Sequence, residues 1–230
     1  MPAVVIVETL ARFPRISNRA ISSLRLTLLA LLVPILLFGS RYLTGLTGSA
    51  RDDWSLTQAL VHFVGWGVAI GSSWWLFARL TTRAPAPSHL ISLAITSAGA
   101  GLLLMLSGYA SGGLIGLPLS AALLGSCAFG TLLAGRGSDV IVAPVGVGMI
   151  GIASLTAIGH YFGELTLANA ALVFLALLSG WLTELPRVRA LPDGLRGFFR
   201  VALVGCLISV LIVFARNKFV EDYSQFIGSE

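Results

Sequence analysis

Long tracts without a charged side chain alternate along this chain with short segments that hold nearly all of its arginines and acids. Residues 54 to 78 run uncharged between Asp53 and Arg79, residues 84 to 135 between Arg83 and Arg136, and residues 140 to 163 between Asp139 and Glu164. Residues 165 to 183 follow, up to Glu184. Two shorter tracts, 26–40 and 201–215, lie between Arg25 and Arg41 and between Arg200 and Arg216. A membrane-crossing helix needs about 20 residues, each rising about 1.5 Å. The tract 84–135 is too long for one crossing and must fold back, with "SGYASGG" at 107–113 as the break.

The pattern therefore predicts helices over about 24–43, 55–78, 88–108, 115–134, 140–160, 165–184 and 199–216. At the two ends, fifteen uncharged residues reach only about 22 Å. Flanking arginines that extend to the headgroups complete each crossing; a re-entrant or in-plane helix is the alternative. Pro34 predicts a kink in the first span, because its nitrogen has no hydrogen to donate. The loops 39–53 and 186–199 are the longest between spans, so no soluble domain is left over. Strands of a membrane barrel alternate over about 10 residues, which excludes that architecture for tracts this uniform.

Composition points the same way. The chain is 56% hydrophobic and 11% charged, with a mean hydropathy of +0.91, whereas soluble domains carry about 25% charged residues. The expected fold is all-α: a polytopic integral membrane protein with about seven transmembrane helices. Its single transmembrane domain, 26–216, lies between an N-terminal segment 1–25 and a short tail 217–230.

Charge then orients it. With the N-terminus cytoplasmic, Arg12, Arg15, Arg19, Arg25, Arg79, Arg83, Arg136, Arg187, Arg189, Arg196 and Arg200 are inside. Arg41, Arg51, Arg216 and Lys218 are outside, giving eleven against four. That bias follows the positive-inside rule and puts the C-terminus outside, in a bacterial-type inner membrane. The first residues, "MPAVVIVETLARFPRISNR", place apolar before basic side chains, the reverse of a signal peptide. The net charge of +5 is spread over short loops, so it reads as topology and no nucleic acid partner is expected. Cys127 and Cys206 fall inside apolar tracts and read as packing residues.

Candidate chemistry is sparse. On a helix over 55–78, Gln58, Gly65, Ala69, Ser72 and Ser73 share a side with His62. Polar groups are costly in lipid, so that stripe is expected to face protein. Phe63, Trp66, Ile70, Trp74 and Phe77 form an aromatic flank. Gly67 and Gly71 form a small face suited to a membrane protein partner or a second copy of this chain. Trp54, Trp74 and Trp75 fit interfacial aromatic belts.

His62, His160, Glu164, Gln58, Asp52 and Asp53 fall at the outer side and form the one candidate polar cluster. Hydrogen-bonded packing histidines, a proton or ion path, and metal or haem ligation are its three readings. No metal or cofactor is expected. "VGVGMIG" at 145–151 matches a dinucleotide-binding glycine pattern but sits inside a span, where glycines serve close helix packing. Glu184 is expected to pair with Arg187 or Arg189, and "PRVRALPDGLRGFFR" suits anionic headgroups.

Two functions of different class follow. The first is a structural or accessory membrane component without its own catalysis, in contact with membrane lipids. The alternative is a small-solute or proton-coupled transporter using the outer His/Glu cluster. A membrane-embedded enzyme or haem-binding subunit comes third.

Overall fold

In a hydrocarbon solvent each backbone N–H and C=O must be satisfied within its own segment, and uninterrupted apolar tracts meet that demand as helices. The computed structural model describes residues 27–28, 31–38, 40–44, 54–83, 86–133 and 142–227. Every regular element among the described residues is helical. The main helices are α1 (Leu56–Thr81), α2 (Ala86–Leu106), α3 (Gly116–Leu133), α4 (Val142–Phe162), α5 (Leu167–Leu178) and α6 (Asp193–Ile227). Among the described residues six candidate spans are long and apolar enough to cross a membrane, and the protein is a multi-pass all-α membrane protein. Of the expected first span, residues 31–37 and Arg41–Thr44 are helical, and part of the remainder lies outside the described residues.

The chain divides into two compact units, Met1–Trp75 and Leu76–Glu230. In the first, α1 opens with a capping box: Gln58 N–H donates to Ser55 Oγ at 3.3 Å and Ser55 N–H to Gln58 Oε1 at 2.9 Å. These two bonds satisfy donors that a helix start leaves unpaired.

In the second unit α2 is central, packed by α3, α4 and α6. Of the span windows, those of α2 and α4 are 67% and 72% buried, against 22% for α6, so α2 and α4 form the interior and α6 is largely exposed. The fold-back expected at 107–113 begins at Gly108, whose φ of +87° is open only to glycine without strain. Its N–H donates to Met105 O at 3.2 Å, and Tyr109 N–H to Leu104 O at 3.2 Å, the two bonds of a Schellman motif. After the single turn Ala110–Gly113, α3 returns along α2 with backbone against backbone. A Cβ on Gly116 would sit 2.7 Å from Gly101 Cα, so only glycine allows that approach.

Helices α2 and α6 run parallel. Ser88 meets Arg200 near their starts, Gly99 faces Ile208 midway, and Ser107 shares a pocket with Lys218 at the far end. The last helix begins at Asp193 rather than near 199 and continues to Ile227. Arg196 and Arg200 had marked a loop in the sequence, but both are buried side chains of the helix itself. Asp193 also accepts from Arg196 Nη2 at 2.9 Å within the first turn, where a carboxylate suits the helix dipole.

Candidate functional site

Burial on α1 falls mostly on the aromatic flank, of which Phe63 is half-buried, and most of the polar stripe is exposed. Trp66, Ile70, Trp74 and Phe77 are buried, while Gln58, Gly65, Ala69 and Ser72 are exposed. Ser73 alone of that stripe's small residues is buried. Large apolar rings gain most from burial. Ser72 needs no outside partner, because its hydroxyl donates to Ala69 O at 3.1 Å in its own helix.

His62 is half-buried, and its ring lies flat on Trp54, with centroids 4.3 Å apart and 7° between planes. Gln58 serves the capping box, and Asp52 and Asp53 lie outside the described residues. His160 belongs to the second unit, at the end of α4. Its Nδ1 is 3.0 Å from Leu165 O and its ring meets Tyr161 edge-on at 4.9 Å. A carbonyl only accepts, so this contact places the proton on Nδ1. It fastens the 163–165 turn, which also carries the 2.8 Å bond from Glu164 N–H to Ser107 O. Glu164 is exposed on that turn.

The "VGVGMIG" glycines lie inside α4, and a Cβ on Gly148 would come within 3.2 Å of Leu123. This is helix-to-helix packing, with all three glycines inside the helix rather than in a loop. No group of three or more His, Cys, Asp or Glu among the described residues is arranged to hold a metal ion.

A charged centre that the sequence did not single out lies at the start of the α2–α6 pair. Arg200 is only 1% exposed. Its Nη1 donates to Ser88 Oγ at 2.8 Å, and its Nη2 to Thr183 Oγ1 at 2.7 Å and to Glu184 Oε1 at 2.9 Å. The Glu184 side chain is 7% exposed, so the ion pair is desolvated on both sides. Glu184 therefore pairs with Arg200 rather than with Arg187 or Arg189. The 3-10 turn Ser179–Glu184 winds it back onto α6, and Gly180 leaves room for the arginine stem. Arg83 caps the region from above the ring of Trp181, 5.1 Å from its centroid. One signal was available: an acid at the edge of a span requires a cation. Its partner sixteen residues on, beyond a helix break, could not be chosen among four nearby arginines.

At the opposite end three candidate spans finish together, at Leu106, Phe162 and Asp222. Between them opens a pocket of about 440 Å³. Leu103, Leu106, Leu165, Ala215 and Phe219 supply its apolar lining. Ser107, Glu164, Asn169, Lys218 and Asp222 supply its polar one. Asn169 is held in the first turn of α5, where its N–H donates to the capping Thr166 Oγ1 at 3.2 Å. Of the candidate residues named from sequence, Glu164 is the one that lines this pocket.

No protein-family model matches the chain, and no curated protein or solved structure matches it either. Function is therefore read from these two ends: one can hold helices together, and the other can hold a ligand.

Proposed function

We propose that the protein is a structural or accessory component of a bacterial-type inner membrane, acting through binding rather than turnover. The observation that carries this reading is the closure of the Arg200–Glu184 centre. Its ion pair and hydroxyl contacts join α2, the 179–184 turn and α6, and leave the carboxylate desolvated rather than open to a substrate. Two further interior hydroxyls are tied internally: Thr96 donates to Ser92 O at 2.8 Å and Thr156 to Ile152 O at 2.9 Å. The topology that goes with it has a cytoplasmic N-terminus, a first span over 24–43 and an external C-terminus. The Gly67 side of α1, where an added Cβ would meet nothing within 4 Å, is offered to a partner helix or a second copy.

A transporter is the second reading. It is favoured by Glu164 at the pocket and by the Ser92 and Ser97 hydroxyls, buried on α2 without a hydrogen-bond partner. Buried hydroxyls of this kind are sites where water can enter. One experiment separates the two: Ser92→Cys and Ser97→Cys are exposed to a small, membrane-impermeant thiol reagent in proteoliposomes, on a background lacking Cys127 and Cys206. The accessory reading expects no labelling and no proton or solute flux above empty vesicles. Labelling of either cysteine together with flux establishes the transporter instead.

A further inference from the structure

We infer that the pocket at the far end of α2 and α6 binds a zwitterionic primary amine of the phosphoethanolamine class, as the headgroup of a membrane lipid or as the free solute. This goes beyond the accessory role and does not depend on it.

Position is the first ground. Three spans end at this pocket, so it lies where hydrocarbon gives way to headgroups. Leu106 and Phe219 offer an apolar wall and Glu164, Lys218 and Asp222 a charged one, the two-sided lining that an amphiphile requires. Its volume of about 440 Å³ suits a headgroup with its first methylenes, since small-molecule sites run from about 300 to 1,000 Å³.

Charge is the second ground. Lys218 and Asp222 are four residues apart on α6, so they share a face. Neither forms an ion pair among the described residues, nor does the Glu164 carboxylate. Two carboxylates and one ammonium around a single cavity complement a ligand that carries both signs. A primary ammonium has three N–H donors, which the two carboxylates and the Asn169 amide oxygen can accept. The phosphate then falls to Lys218, a point-charge phosphate binder.

The same chemistry argues against the commonest competitors. A quaternary ammonium has no N–H to donate and is held by aromatic cages, whereas the lining contains one aromatic ring, Phe219. An anionic lipid without an amine would place its phosphate beside two carboxylates, with Lys218 as the single cation of the lining to offset three negative charges.

The test uses the full chain in detergent, with lipid retention read by native mass spectrometry and binding by titration. The probes are an ethanolamine phospholipid, the matching choline and glycerol phospholipids, and water-soluble phosphoethanolamine. About tenfold tighter binding of the ethanolamine lipid than of the other two is expected. Glu164→Gln with Asp222→Asn should abolish that preference while leaving the helical content and thermal midpoint unchanged, since both side chains are exposed. If soluble phosphoethanolamine competes at similar concentration, the site reads a free solute; if it does not, the acyl chain is part of the ligand. Equal binding of all three lipids, or a preference that survives the double substitution, overturns the inference.

Discussion

At the Ser88 end of the parallel pair α2 and α6, the ionic groups are buried and joined to one another. At the Ser107 end of the same two helices, Glu164, Lys218 and Asp222 stand around a cavity and form no ion pair among the described residues. The helices are the same, so the difference lies in solvation. A desolvated charge must be neutralised inside the protein, and once neutralised it can do little except hold its neighbours in place. A charge left at the membrane boundary keeps its water, and a ligand can displace that water. One end is therefore committed to structure and the other is available for recognition.

The largest effect should come from breaking the closed end. Arg200→Met leaves Glu184 buried without its cation and should destabilise the second unit by about 3–5 kcal/mol. The loss is read as the folded fraction surviving a temperature ramp in detergent. If the centre serves structure alone, Arg200→Met with Glu184→Leu should restore most of that stability, because apolar pairs of similar volume often replace buried ion pairs at no cost. A double variant as unstable as the single one would break the comparison.

Gly116→Val comes next. It forces apart the backbones of α2 and α3, which lie between the two ends, and should cost about 1–3 kcal/mol as overpacking does; thermal unfolding checks it. Ser88→Ala removes one acceptor from the guanidinium and should cost about 1–3 kcal/mol, the penalty for a buried donor left unsatisfied. Its readout is the same midpoint together with hydrogen exchange at the start of α2. The smallest effect belongs to the open end, where Asp222→Asn should change stability by less than about 0.5 kcal/mol, as for most surface positions. A large loss there would show that the pocket charges also hold the fold.

Much of the helical layout was legible because charges bound the apolar tracts. The expected spans 88–108, 115–134 and 140–160 correspond to α2, α3 and α4 within two residues at each boundary. The expected last span, 199–216, lies inside α6, but the helix runs further at both ends, because Arg196 and Arg200 are neutralised or buried within it and do not interrupt it. A sequence shows that a charge is present but not what neutralises it. On α1, Ser72 finds its acceptor in its own helix, so its hydroxyl needs no neighbouring helix, which the residue type alone does not reveal. Of the candidate polar cluster only Glu164 lines the pocket, because Lys218 and Asp222 come from a part of α6 beyond the expected span end at 216.

The 3-10 winding of Ser179–Glu184 has a consequence for bilayer thickness. The candidate span Leu167–Glu184 has 18 residues, twelve in α5 and six in the tighter turn. As a continuous α-helix it would measure about 27 Å, whereas six residues rising about 2.0 Å each bring it to about 30 Å. That equals the hydrocarbon depth of a typical bilayer, about 30 Å. The stretched final turn thus brings this shortest of the candidate spans to that depth. A thinner membrane would favour relaxation of this segment to α-helix, rotating Thr183 and Glu184 about the helix axis away from Arg200.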